Sequence, residues 1–193
     1  MRGFTAFAHR APAAEILDVL GAYHRAIGPV IVGFDGVLER FTGDGVMVYF
    51  DDGSPHEQAR RAVRMALRMR DVVRPLSERW QRRGHDLSMG IGIALGEATL
   101  GPIGFDQRRD YAAIGPVTNL ASRLCAEAGA DEVLVTAPLC DADGDILEAE
   151  ALGARHLKGF TRALDVYRVH GVHPPAPAAS FHGGVLEYVE GRG

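Results

Sequence analysis

Gly43-Asp44-Gly45 stands between two short runs, Arg40-Phe41-Thr42 and Val46-Met47-Val48-Tyr49-Phe50, that carry β-branched and aromatic residues. The pattern predicts a β-hairpin with a carboxylate at its tip. A carboxylate held on a tight turn suits a hard cation such as Mg²⁺, with phosphate oxygens completing the coordination. An aspartate in a glycine-rich turn also has an ordinary use, hydrogen-bonding its own backbone, so the segment alone leaves both readings open. A second pair, Asn119 and Arg123, is one turn apart on a predicted helix, and both side chains project from one face. The planar fork of the arginine matches phosphate oxygens, and the amide can serve a neighbouring hydroxyl. Taken alone, such a pair is more often an ordinary polar helix face.

The elements that must carry these residues are legible in outline. Pro12 opens a helical pattern with Ile16, Leu17, Leu20, Tyr23 and Ile27, which Gly28-Pro29 is expected to break. The predicted hairpin spans residues 37–50. Ser54-Pro55-His56-Glu57 is a capping box with proline at the first helical position. The helix it starts keeps Ala59, Ala62, Val63, Ala66, Met69 and Val73 on one face until Pro75 kinks or ends it. Residues 87–94 alternate Met89, Ile91 and Ile93 with serine and glycine, a strand whose glycines permit close backbone approach. A run to Ile103 is expected to close a hairpin with it across Leu95-Gly96-Glu97. Residues 111–114 form a short strand, Gly115-Pro116 turns into a helix to about Ala128, and residues 133–135 and 166–169 supply further strands. This order suits an α+β domain with helices packed on a largely antiparallel sheet.

Three segments join the hairpin in a recognisable sequence: Met1-Arg2-Gly3-Phe4-Thr5-Ala6-Phe7 at the start, Arg109-Asp110-Tyr111-Ala112-Ala113-Ile114-Gly115-Pro116-Val117-Thr118-Asn119-Leu120-Ala121-Ser122-Arg123 in the middle, and His156-Leu157-Lys158-Gly159-Phe160 followed by Leu164-Asp165-Val166-Tyr167-Arg168-Val169. Together they resemble the class III adenylyl/guanylyl cyclase catalytic domain, from Met1 to about Val169. The resemblance implies a ferredoxin-like βαββαβ core, a nucleoside triphosphate substrate, Mg²⁺ or Mn²⁺ in a two-metal site, and a head-to-tail homodimer with its sites at the interface. It assigns Asp44 to the metals, Asn119 and Arg123 to the ribose and the transition state, Lys158 to phosphate, and Arg40 and Ala112 to the base.

Two departures from the family pattern bear on this. Members carry a first metal-binding aspartate at the end of a core strand, two residues ahead of the Arg-Gly-Phe-Thr; here Met1 precedes Arg2 directly, so that strand and one aspartate ligand are expected to be missing. Arg40 stands where adenylyl cyclases carry lysine, and Ala112 where they carry aspartate or threonine. Arginine still donates to a purine acceptor, which favours ATP over GTP, while the alanine side chain neither donates nor accepts. The reading is an adenylyl cyclase acting as a homodimer, with a weakly active nucleotide-binding regulatory module as its rival.

Composition bounds the alternatives. A chain of 193 residues, 47% hydrophobic and 24% charged, makes one soluble globular domain. A formal charge of −4 leaves no basic excess for nucleic acid. Arg79, Arg82 and Arg83 read as a solvated helix face. There is no apolar run of about 18 residues and no leader-like opening, so no membrane segment is expected. Cys125 and Cys140 lack metal spacing and read as buried thiols of a reducing, cytoplasmic compartment. Gly90, Gly92 and Gly96 mimic a phosphate loop without the helix it needs, and Asp141, Asp143 and Asp145 mimic a calcium loop without its glutamate. The eight histidines show no ligand spacing. The catalytic domain is assigned to residues 1–170 and a Pro/Ala/Gly-rich extension to residues 171–193.

Overall fold

The structure, a computed structural model, describes residues 1–143 and 147–173. Its elements run α1 (Phe4–Ala8), α2 (Ala13–Gly33), β1 (Val37–Thr42), β2 (Gly45–Tyr49), α3 (Pro55–Arg82), β3 (Ile91–Gly92), β4 (Thr99–Phe105), β5 (Arg108–Ile114), α4 (Pro116–Glu127), β6 (Val133–Thr136), α5 (Ala137–Asp143), β7 (Leu147–Arg155) and β8 (Leu164–Val172). The α+β class expected from the sequence is the observed one.

Two long helices organise the core. α3 begins at the capping box, with the Ser54 side chain accepting from Glu57 N–H and the Glu57 carboxylate accepting from Ser54 N–H. It continues through Pro75 to bury Ser77 and Trp80, so the expected break does not occur there. Pro29 likewise lies inside α2, whose last turn buries Val30 and Ile31. The lost N–H of each proline is outweighed by tertiary burial of the turn beyond it. α2 is long and apolar enough to cross a membrane by length and composition, but Val19, Tyr23, Ile27, Val30 and Ile31 pack into one core cluster with Met65, Met69 and Val73 of α3.

The strands form three separate sheets: β1-β2, β4-β5, and the four-stranded β3-β6-β8-β7. Two sequence expectations give way here. β3 pairs in parallel with β6, and β4 pairs with β5 across Asp106-Gln107 in an unbroken seven-residue register, so the hairpin expected at Leu95-Gly96-Glu97 is absent. β3 is two residues long, and Gly92 lies directly beneath α4: a Cβ built there would stand 2.1 Å from Cys125 N and 2.5 Å from Ala121 O. The glycine permits the close approach that the sequence suggested.

Among the described residues no ladder joins β2 to β3. Between β2 and β3 lies a cavity of about 580 Å³, lined by Val46 and Val48 on one side and Gly90 and Ile91 on the other. An antiparallel bridge between Arg2 and Ser88 ties the chain start to the segment ahead of β3. Gly171 and Val172 still belong to β8, two residues past the expected domain boundary; residues 174–193 lie outside the described residues, as does Asp145. Cys125 and Cys140 are free, half-buried thiols, less enclosed than expected: Cys125 lines the cavity and donates to the Gly90 carbonyl, and Cys140 packs against the cluster that contains Leu139.

Candidate active site

The β1-β2 hairpin turns at Gly43, whose φ of 72° is the left-handed conformation that suits glycine. The turn lifts Asp44 to the tip, where its side chain remains 29% exposed. Asp44 Oδ2 lies 2.5 Å from the Met1 nitrogen, and the Asp44 carbonyl is 3.4 Å from the same atom. The Arg2 guanidinium donates to the carbonyls of Cys125 and Ala126 in the last turn of α4, which satisfies acceptors the helix leaves unpaired. Chain start, hairpin tip and the end of α4 are thus tied into one neighbourhood. Tyr23 of α2 closes it from below: its hydroxyl donates to Met89 Sδ at 3.7 Å. Burial, and then the negative potential of Cys125 and Asp44, pushes the Tyr23 phenol well above its ordinary range.

α4 begins at Gly115 with Pro116 in its first turn, and Thr118 Oγ1 donates to the Gly115 carbonyl. Leu124 is fully buried, so the helix presents Asn119 and Arg123 outward, both exposed. Lys158 is exposed on the turn between β7 and β8, closed by Phe160 N–H donating to the Leu157 carbonyl. Leu157 and Phe160 join Leu120 and Leu124 in one apolar cluster. That cluster brings the lysine-bearing turn onto α4, the helix of Asn119 and Arg123.

The two positions expected to meet the base differ in exposure. Arg40 is half exposed (51%), but Ala112 is closed off at 3%. The polar group beside Arg40 comes from its own strand: Glu39 Oε1 is 3.3 Å from Arg40 Nη2 and accepts the Ala113 N–H at 3.3 Å. The Glu39 side chain is 1% exposed and lines the cavity together with Tyr49, Ala113 and Thr118. The sequence reading missed this residue. Its one available signal was an acid next to a basic residue inside a predicted strand.

Among the described residues, no group of three or more His, Cys, Asp or Glu side chains gathers into a metal cage. Asp44 provides a single, partly exposed carboxylate facing the Met1 nitrogen. Mg²⁺ is commonly held by one or two carboxylates plus substrate phosphates, and Asp44 fits that role of a lone protein ligand to a nucleotide-bound ion.

Residues 1–171 match the family model described as the adenylate and guanylate cyclase catalytic domain. The terminal-differentiation-specific adenylate cyclase of Dictyostelium discoideum is 28% identical over 88% of this chain, which spans 8% of that protein. The chain spans under a third of the curated relatives it matches. Among solved structures, the adenylyl cyclase CyaB from P. aeruginosa superposes with a TM-score of 0.84 at 30% identity, covering 91% of this chain and 92% of that one. The guanylyl cyclase Cya2 superposes with a TM-score of 0.81 at 29% identity, covering 91% and 90%.

Proposed function

The chain belongs to the adenylate and guanylate cyclase catalytic domain family, and from that premise we propose that it converts ATP to cyclic AMP and pyrophosphate in a metal-dependent homodimer. The observation that carries the reading is Asp44: a partly exposed carboxylate at a hairpin tip, 2.5 Å from the Met1 nitrogen.

The reaction is an in-line attack of the ribose 3′-oxygen on the α-phosphorus, forming the cyclic ester while the bond to pyrophosphate breaks and the hydroxyl proton is lost to solvent. Asn119 holds the ribose so that its 3′-oxygen faces phosphorus, a positioning effect. Arg123 meets the charge that builds on the α-phosphoryl oxygens, where a fixed cation stabilises the transition state more than the ground state. Lys158 holds the triphosphate as a point charge. Asp44 would hold Mg²⁺ or Mn²⁺, which supplies a lowered hydroxyl pKa and charge neutralisation when bound.

The site is completed between two chains: Asp44 from one protomer, with Asn119 of the partner subunit and Arg123 of the partner subunit. Phe41, Phe105, Tyr111 and Ile114, each more than half exposed on β1, β4 and β5, form the apolar surface available for that contact. The two free thiols accord with a reducing cytoplasm.

The second reading is a cyclase-like module that binds nucleotide and turns over poorly. It is favoured by the lone carboxylate at the metal position. The two separate on cyclic AMP and cyclic GMP formation with Mg²⁺ and with Mn²⁺, compared between the wild type and Asp44→Ala. Metal-dependent product that disappears with Asp44 supports the enzyme. Triphosphate binding without product supports the module.

A further inference from the structure

Among the described residues β2 pairs only with β1 and β3 only with β6, so each turns an unused edge toward the cavity between them. The flanks of this slot are backbone donors and acceptors, and its floor is apolar. Met65 and Met69 of α3 line it, and Val46, Val48 and Ile91 pack on the same core cluster. The opposite face belongs to α4, because Gly92 turns toward that helix while Ile91 turns to the floor. An extended segment suits such a slot: unpaired edges accept a further strand, and its alternate side chains meet the floor. One end is already set, by the Met1 nitrogen at the Asp44 carbonyl and by the antiparallel bridge between Arg2 and Ser88. Beyond it, the five residues of β2, Gly45–Tyr49, give the slot its length.

Residues 174–193 lie outside the described ones, and their sequence holds a run of matching length, Val185-Leu186-Glu187-Tyr188-Val189, set between Gly183-Gly184 and Glu190-Gly191. We infer that this run is the occupant of the slot, entering antiparallel to β2 and β3 and joining their two sheets. With Val189 opposite Gly45, Tyr188 stands beside Val46 and Leu186 beside Val48, both over the apolar floor. Glu187 takes the other face, where Thr118 and Ser122 of α4 line the cavity. A slip of one residue would put Glu187 on the floor, so the hydrophobic pattern specifies this register. Glu190 then leaves the slot at the Met1 ammonium, an opposite charge. The connection is long enough. Crossing from β8 past β6 and β3 is about 14 Å at the usual strand spacing, and running to the Tyr49 end adds about 16 Å. Residues 173–184 span up to about 40 Å. Filling the slot ties the Asp44 hairpin to β3 beneath α4, which couples the tail to the candidate site.

The test uses the full chain, with Cys125, which lines the cavity, as reporter and Cys140, which packs on the cluster of Leu139, as reference. Maleimide labelling is read by peptide mass spectrometry for the wild type and for Leu186→Asp/Tyr188→Asp, whose carboxylates resist burial on an apolar floor. Cys125 should label at least about tenfold faster in the variant, since local opening governs its access, while Cys140 keeps its rate. A synthetic peptide of residues 183–191, at about the millimolar effective concentration of a tethered segment, should restore slow labelling, and the same peptide with both aspartates should not. Equal Cys125 rates in the wild type and the variant overturn the inference, as does a wild-type peptide that leaves the variant's rate unchanged. If both cysteines accelerate together, the variant has unfolded and the wild type decides alone. The β2 N–H groups that point away from β1 exchange slowly with solvent when a strand pairs with them, and fast exchange at those amides overturns the inference.

Discussion

The Met1 nitrogen stands 2.5 Å from Asp44 Oδ2, so a residue joined to Met1 through that nitrogen emerges against the Asp44 carboxylate. An aspartate placed there would form a paired-carboxylate site with Asp44. As a peptide nitrogen the Met1 atom would also lose its charge and leave both carboxylates to a metal. Attaching a short segment that ends in aspartate directly ahead of Met1 is expected to raise cyclic nucleotide formation by about a hundredfold, the order of one added electrostatic contact in a transition state. Equal rates with and without the added aspartate would remove the paired-carboxylate geometry.

Asp44→Ala tests the same carboxylate from the other side. The residue is partly exposed at a turn tip and supports no core contact, so the thermal midpoint should move little. Metal-dependent product should fall to background. Retained turnover at the wild-type level would show that the metal is held elsewhere.

Gly92 seats α4, and with it Asn119 and Arg123. A methyl group there meets the backbone of Cys125 and Ala121, which no rotamer change can relieve. Gly92→Ala is expected to cost about 1–3 kcal/mol, the range of overpacking, and to lower activity by displacing the helix. Gly84 has a positive φ and open space, and Gly84→Ala, strained only in its backbone, should leave activity unchanged. Comparing denaturation midpoints and rates of the two variants separates a packing effect from a general sensitivity of glycines.

The parts of this molecule legible in the sequence are those fixed by neighbours in the chain. The Gly43 turn, the Ser54/Glu57 box and the start of α4 at Pro116 each depend on a few adjacent residues, and each stands where expected. Pairing is non-local. Nothing in residues 87–105 says that β3 will run parallel to β6 or that β4 will choose β5. Pro29 and Pro75 carry strong local break signals that the core overrides. Glu39 was hidden for a third reason. Alternation along a strand assigns faces by parity, and the bulge between Leu38 and Arg40 breaks that parity.

Tyr23 gives the domain an alkaline limit. Burial first, and then Cys125 and Asp44, raises its pKa in the folded state. The folded chain therefore holds the phenolic proton more tightly than the unfolded chain. The stability that follows is present below the ordinary tyrosine pKa of about 10 and is lost as pH rises above it. Unfolding free energy measured by denaturant titration should fall more steeply above that pH for the wild type than for Tyr23→Phe. Near neutrality the variant should differ by only about 1 kcal/mol, the value of one weak hydrogen bond. Parallel curves would place the alkaline lability elsewhere.

The shared-site reading makes a quantitative demand on mixed dimers. Asp44→Ala and Asn119→Ala should each be inactive alone, because every site in either homodimer lacks one required group. In a heterodimer of the two, one site carries both lesions and the other carries none. Random association at equal concentration makes half the dimers mixed, so activity should return to about a quarter of the wild-type rate under two-fold symmetry. Sedimentation at tens of micromolar with nucleotide and Mn²⁺ is expected to show the dimer. Substituting Phe41 by aspartate in both variants should weaken association, since its ring is 55% exposed on the apolar surface, and should abolish the recovery. No recovery on mixing, from chains that do form dimers, would mean that Asp44 and Asn119 serve the same protomer's site.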